Sequence, residues 1–101
     1  MDRNRLDWRH RADYIRTRSS RRQGDNDIDP LWANEAAADS LAQVIEPDPA
    51  SVSGRSARII GYSPSADLVI TVILLEDEEV TYGVNAWRSN SHDEREYWEN
   101  P

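Results

Sequence analysis

SARIIGYSPSADLVITVILLEDEEVTYGVNAWR, residues 56–88, is the stretch that decides the fold. Three segments rich in β-branched and apolar residues, 56–62, 68–75 and 80–88, are separated by the short polar turns SPSAD and EDEE. Connections this short favour antiparallel neighbours, so the stretch predicts a three-stranded antiparallel β-meander. The middle segment, LVITVILL, is apolar at nearly every position, which is typical of a central strand buried on both faces.

Helices are predicted on the N-terminal side of this meander. Residues 5–19 contain neither Pro nor Gly, and apolar or aromatic side chains recur at helical spacing, which predicts a first helix. Asp29 followed by Pro30 predicts the start of a helix. The Asp29 carboxylate can accept a hydrogen bond from a backbone N–H of the first turn, and Pro30 lacks only an N–H that would have no partner within the helix. A second helix is expected over about 30–38, and a further short helix from Asp39 is left open.

A last helix is predicted after the meander. Ser91 and Glu94 have the spacing of a capping box, which would open a helix over about 92–99. The expected order is α, α, β, β, β, α, so the fold class is α+β, with N-terminal helices, the meander and a C-terminal helix. We expect one domain overall, in which residues 1–27 form a basic helix and polar loop and residues 28–101 form the α-β-β-β-α core.

Composition excludes several classes of protein. The chain has 101 residues and no Cys, so disulfide scaffolds, thiolate metal sites and Cys nucleophiles are excluded. The longest apolar run is far too short to span a bilayer, and the first ten residues lack the apolar segment of a signal peptide. A cytoplasmic protein that does not contact membranes is therefore expected.

Charge is distributed unevenly along the chain, whose net charge is −7. Residues 1–22 carry eight Arg and three Asp, a net charge of +5, whereas the remainder carries four Arg and sixteen acids. An acidic protein repels nucleic acid overall, so any contact with nucleic acid must be made by a local cluster of Arg.

Motifs for metal and nucleotide binding are missing from the sequence. His10 and His92 fall in separate predicted helices, and no metal-ligand motif contains either of them. Asp25, Asp27 and Asp29 alternate as in a calcium loop, but the glycine precedes them and the terminal bidentate acid is missing. There is no Gly-rich phosphate loop and no G-x-S-x-G motif. We therefore expect no metal and no cofactor.

Arginine and aromatic residues are the remaining candidates for chemistry. On a strand with a period of two, Arg58, Ile60 and Tyr62 share one face, and Asn85 and Trp87 share one face of the third strand. Such residues can hold phosphate through guanidinium groups and stack bases on aromatic rings. The same residues also have ordinary roles as surface charges and core aromatics.

The motifs and their order resemble the BrnT-like toxin family, whose members share the RelE-like toxin fold. The resemblance covers about residues 28–99 and rests on RIIGYS at 58–63, NAWR at 85–88 and DEREY at 93–97. It implies a bacterial toxin of a type II toxin–antitoxin system that inhibits growth as a metal-independent endoribonuclease. Its partners would be RNA and a small DNA-binding antitoxin, and the chain would reach DNA only through the antitoxin complex.

The resemblance also implies roles for individual residues. Ribonucleases of this kind activate the ribose 2′-OH against the adjacent phosphate, which requires proton transfer and cations for the charge of the transition state. The expected catalytic residues are His10, Arg58, Arg88 and Arg95. The expected RNA-binding residues are Arg55, Tyr62, Trp87, His92 and Tyr97.

Two alternative functions remain open at the level of sequence. Toxins of this family are usually basic, whereas this chain is acidic. A non-catalytic protein-interaction module on the same fold is therefore one alternative. A small acidic inhibitor or nucleic-acid mimic of the kind encoded by phages is the other.

Overall fold

A five-stranded mixed sheet forms the centre of the protein, whose computed structural model describes residues 1–99. In spatial order the strands are β1 (Leu6–Asp7), β5 (Val80–Arg88), β4 (Leu68–Asp77), β3 (Ser56–Ser63) and β2 (Gln43–Ile45). Strand β1 runs parallel to β5, and the other three neighbouring pairs are antiparallel.

The helices are short. They are α1 (Ala12–Arg16), a 3₁₀ turn (Arg18–Ser20), α2 (Pro30–Ala38) and α3 (Ser91–Glu99). Together with the sheet they confirm the α+β class. Among residues 1–99, no helix has the length and apolar character needed to cross a membrane.

The predicted three-stranded sheet is wrong, although its three strands are present as β3, β4 and β5. The sheet continues on both sides, because Leu6 and Asp7 pair with Thr81 and Tyr82, and β2 pairs with β3. Strands of two and three residues are too short to show a periodic pattern. They are held by backbone hydrogen bonds to strands that are distant in sequence, which a local pattern does not contain.

The N-terminal helix predicted over 5–19 is also wrong in extent. Residues 6–7 are a strand, and only residues 12–16 are α-helical. The chain turns between them because the Trp8 side chain is buried in the core and its indole Nε1 donates to Asn34 Oδ1 at 2.7 Å. Tertiary burial of one aromatic side chain therefore overrides the local helical preference.

The region after α2 differs from the helix left open from Asp39. The Asp39 carboxylate accepts a hydrogen bond from the Leu41 backbone N–H at 2.9 Å, which forms a turn, and the chain then enters β2. Aspartate competes in this way with helical hydrogen bonding, which explains why α2 stops at Ala38.

Both longer helices have identifiable caps. The Asp29 side chain accepts from the Leu31 N–H at 2.9 Å, and Pro30 is the first residue of α2, as predicted. The predicted cap of α3 is wrong, because Asn90 caps this helix instead of Ser91. Its Oδ1 accepts from the Asp93 N–H at 2.8 Å.

The turn between β4 and β5 lies where it was predicted but is shorter than EDEE, because Glu76 and Asp77 are still paired in β4. Glu78 and Glu79 form a two-residue connection between the paired residues Asp77 and Val80, and both have positive φ, 49° and 69°. This is the φ sign pattern of a type I′ hairpin turn, which usually contains Asn and Gly.

The two faces of the sheet are covered differently. Helix α2 packs on one face, together with Trp8, Ile15 and Ile28, against the apolar side chains of β3, β4 and β5. On the other face, Tyr97 of α3 contacts Ile60 and Val69. The partner register places Tyr82, Asn85 and Trp87 on this second face, opposite Leu75, Ile73 and Thr71. A strip of polar and aromatic side chains therefore follows β5.

Candidate nucleic-acid interface

An arginine-lined groove lies at the C-terminal end of β5. Its volume is about 460 Å³, and we call it the Trp87 groove. It is lined by Arg18, Arg22, Gly24, Asp25, Asn26, Asn85, Trp87 and Arg88. One wall comes from β5, and the other comes from the 3₁₀ turn and the loop that follows it.

Arg18 joins the two walls of this groove. Its Nη1 donates to Asn85 Oδ1 at 3.0 Å, and its Nη2 donates to Asp25 Oδ2 at 3.2 Å. The guanidinium is therefore held by a strand on one side and by a loop on the other. Because its charge is paired with Asp25, Arg18 fixes the loop against β5 and supplies little free charge to the groove.

Two further arginines supply charge that no carboxylate neutralises. Within residues 1–99, the guanidinium groups of Arg22 and Arg88 make no ion pair and no hydrogen bond with the protein. With Arg18 and Asp25 included, the groove carries three positive charges and one negative charge. The groove is thus a local cationic site on a protein whose net charge is −7.

Trp87 is held by two guanidinium contacts. The Cζ atom of Arg58 lies 5.6 Å from the ring centroid, and that of Arg18 lies 5.9 Å from it. Arg58 also donates through Nε to Asp48 Oδ1 at 2.9 Å, and Asp48 is only 6% exposed. Since its charge is balanced by a buried carboxylate, Arg58 orients the indole and offers less free charge than Arg22 or Arg88.

Of the three arginines expected to be catalytic, only Arg88 is among the described residues that line the Trp87 groove. Arg58 contacts the ring of Trp87, and Arg88 lines the groove beside that ring. Arg95 is exposed on α3, and no contact of its guanidinium to Arg58 or Arg88 is found in residues 1–99. Arg55 is also exposed and forms an ion pair with Asp77 at 3.5 Å.

His10 lies elsewhere along β5. Its ring centroid is 5.8 Å from that of Tyr82, and it lines a different groove. Tyr82 and Trp87 are five residues apart on one strand, which corresponds to about 16 Å. The imidazole is therefore too far from the Trp87 groove to act on a phosphate held between Arg22 and Arg88.

The tyrosines proposed for RNA binding belong to a hydrogen-bonded cluster under α3. The hydroxyl of Tyr97 donates to the Asp39 carboxylate, and Tyr97 is only 9% exposed, so its ring is not accessible to a base. Tyr62 donates through its hydroxyl to Asp67 Oδ1 at 2.6 Å, and its ring contacts Trp98 at a centroid distance of 5.5 Å. Burial and the bond to Asp39 raise the pKa of Tyr97 to about 12.

Asp39 is the acceptor at the centre of this cluster. Burial alone would raise the pKa of its carboxyl, but the bonds from the Tyr97 hydroxyl and from the backbone N–H groups of Leu41 and Tyr62 outweigh burial and lower it. The folded state therefore holds the charged form more strongly than the unfolded state does.

We expect Asp39 to make folding stability dependent on pH in the acid range. A lowered folded-state pKa gives stability that is present above the unfolded value near 3.8 and is lost as pH falls through the folded value. Asp39→Asn should lower the free energy of unfolding by about 2 kcal/mol at pH 7. In urea unfolding from pH 7 to 2, this difference should shrink below about pH 4.

The control for this titration is Asp13→Asn, because the Asp13 side chain is 98% exposed. It should cost less than about 0.5 kcal/mol at any pH. An Asp39→Asn penalty that stays constant down to pH 2 would contradict the assignment of Asp39.

Arg18 and Arg22 were missed as site residues by the sequence analysis. The only signal for them was the excess of Arg in residues 1–22, which does not show which of the eight arginines face β5.

The structure also places side-chain ligand atoms of His92, Asp93 and Glu96 within 4.8 Å of one another, although no metal motif was identified. His92 is 77% exposed and pairs with Glu96 at 3.2 Å, as i,i+4 neighbours on a helix commonly do.

The resemblance to BrnT-like toxins rests on short sequence motifs. No family model, no curated protein and no solved structure matches the chain.

Proposed function

We propose that the Trp87 groove binds RNA, with Arg22 and Arg88 on phosphate oxygens and Trp87 beside a base. The observation that carries this proposal is the presence of two unneutralised guanidinium groups and an indole in one groove. Guanidinium groups bind phosphate through two parallel hydrogen bonds, and aromatic rings stack on bases of any sequence.

The activity that we propose for the bound RNA is the one implied by the resemblance, namely metal-independent endoribonuclease activity of a type II toxin. In that reaction the ribose 2′-oxygen attacks the adjacent phosphorus, its proton passes to a base, and the 5′-oxygen leaves with a proton from an acid. In this proposal Arg22 and Arg88 stabilise the added negative charge on the phosphate oxygens. A small DNA-binding antitoxin that covers the groove belongs to the same proposal.

One observation favours a non-catalytic binding module as the second candidate. Among the described residues that line the Trp87 groove there is no imidazole, and the one carboxylate, that of Asp25, is paired with Arg18. Proton transfer at this groove would thus require a group that the bound RNA itself brings close. Binding without cleavage is the simpler use of these residues.

The binding proposal is tested with the double variant Arg22→Ala/Arg88→Ala. We expect its affinity for a fluorescently labelled single-stranded RNA octamer to fall about tenfold or more, because charge-assisted bonds to phosphate are lost. The slope of log affinity against log salt should also become less steep by about 1.4, since two phosphate contacts are removed. Fluorescence anisotropy at several salt concentrations measures both quantities.

The matched control is Arg5→Ala/Arg16→Ala, which removes the same charge from exposed side chains outside the groove. Its effect on affinity should be less than about twofold at 0.15 M salt, where distant charges are screened. Equal losses in the two double variants would contradict the groove and indicate attraction by overall charge alone.

Cleavage and growth assays on the unaltered protein and its variants distinguish the toxin from the non-catalytic binding module. A toxin should generate RNA fragments with 2′,3′-cyclic phosphate ends in the presence of EDTA and arrest growth when its synthesis is induced. Arg88→Ala should abolish cleavage and restore growth, whereas His10→Ala should do neither, because its imidazole lies too far from the Trp87 groove. RNA binding without cleavage or growth arrest would contradict the toxin and support the module.

A further inference from the structure

We propose that the RNA site continues along β5 to a second aromatic platform at Tyr82, so that the ligand is a single strand several nucleotides long. This inference rests on the proposed function and specifies its ligand. Its basis is a second groove on the same strand, with its own ring and its own basic side chains.

The second groove surrounds Tyr82 and also has a volume of about 460 Å³. We call it the Tyr82 groove, and it is lined by His10, Arg11, Leu75, Asp77, Tyr82, Gly83 and Val84. Tyr82 is half-buried, so its ring is held by the sheet while part of it remains accessible. The imidazole of His10 lies beside the ring, and Arg9 Cζ lies 5.9 Å from its centroid.

The rings of Tyr82 and Trp87 lie on one strand and one face of the sheet. Tyr82, Asn85 and Trp87 are paired with Leu75, Ile73 and Thr71, whose side chains alternate onto the face opposite α2. A register shift at Ile73/Leu74 lies between the grooves. A strand segment of about 16 Å therefore carries an accessible ring near each end.

Basic side chains follow the edge of β5 between these rings. Arg11 donates through Nε to the Val84 carbonyl oxygen at 3.0 Å, and Arg18 holds Asn85. Tyr14 lies beside them, with the Cζ atoms of Arg11 and Arg21 at 4.2 and 4.1 Å from its ring centroid. Alternating arginine and aromatic side chains are the arrangement that tracks a single-stranded backbone and its bases.

The charges of the Tyr82 groove assign it a different role from that of the Trp87 groove. Arg9 is paired with Asp7, and Asp77 is paired with Arg55, so Arg11 is the one guanidinium without a carboxylate partner among the described residues of this groove, against two in the Trp87 groove. Its contribution is therefore stacking, whereas the phosphate contacts come from the Trp87 groove. Paired bases in a duplex would not reach either ring, which is why the ligand must be single-stranded.

The test compares two lengths of single-stranded RNA, a dinucleotide and an octanucleotide. Tyr82→Leu should weaken binding of the octanucleotide about tenfold and leave the dinucleotide unchanged, because only the longer strand reaches the second ring. Trp87→Leu should weaken binding of both. Tyr82→Phe retains the ring and should bind both as the unaltered protein does.

Trp98→Leu is the control, because Trp98 is 58% exposed on α3 and outside both grooves. Circular dichroism and thermal unfolding establish that each variant is folded before its affinity is compared. An octanucleotide affinity that Tyr82→Leu leaves unchanged while Trp87→Leu lowers it would overturn the second platform and leave the proposed function intact. If neither variant changed the binding of either RNA, the proposed function itself would fail.

Discussion

Gly61→Ala is expected to lower the free energy of unfolding by about 3 kcal/mol or more, as overpacking against backbone does. A Cβ atom on Gly61 would overlap the carbonyl oxygen of Ala36 and lie 2.9 Å from its carbonyl carbon. These atoms belong to the backbone of α2, so no change of rotamer relieves the overlap. Helix α2 would have to move away from β3, and the buried contacts of Ala33, Ala36 and Ala37 would be lost.

Urea unfolding monitored by circular dichroism measures this loss. Gly24→Ala is the control, because a Cβ atom there meets nothing within 4 Å and only the positive φ of 92° opposes the change. Its cost should be about 1–2 kcal/mol. A Gly61→Ala protein as stable as this control would show that α2 does not pack directly on β3.

Trp8→Ala is expected to lower the free energy of unfolding by about 3–5 kcal/mol, the usual cost of removing a buried tryptophan. The indole is 7% exposed, lies against the backbone of Gly83 and donates to Asn34 Oδ1 at 2.7 Å. Its loss would open a cavity between β5 and α2 and leave the Asn34 oxygen without its partner. Residues 6–7 should then lose their pairing with β5.

Chemical unfolding and amide hydrogen exchange of Thr81 and Tyr82 test this expectation. Trp8→Phe is the matched variant, because it retains an aromatic ring over Gly83 but not the indole N–H. We expect it to cost about half as much as Trp8→Ala. The role assigned to Trp8 would be contradicted if the alanine variant were as stable as the unaltered protein.

The strands of the meander were predictable because their chemistry is local. Residues 68–75 are apolar enough that only a buried strand accommodates them. The predicted alternation along the first strand of the meander is confirmed, because Ile60 and its neighbour Ile59 belong to clusters on opposite faces of the sheet. The start of α2 was also predictable, since Asp29 and Pro30 act on the backbone within two residues. Each of these features depends on neighbours along the chain.

The candidate site was predictable only in part. Trp87 and Arg88 were identified from the third strand, and they line the Trp87 groove. Arg18 and Arg22 were not identified, and Arg95 lies on the exposed side of α3. Which of twelve arginines face one groove depends on the path of the first 28 residues, and that path follows from the burial of Trp8, Ile15 and Ile28.

The amino-acid order alone determined the α+β class, the three long strands, their turns and the starting point of α2, because propensity and hydrophobic alternation act over a few residues. Only the tertiary structure decided the five-stranded mixed sheet and the cationic groove at the end of β5. Long-range packing sets both the pairing of the two- and three-residue strands and the convergence of distant guanidinium groups. The pattern of neighbouring residues in the sequence therefore predicts neither of them.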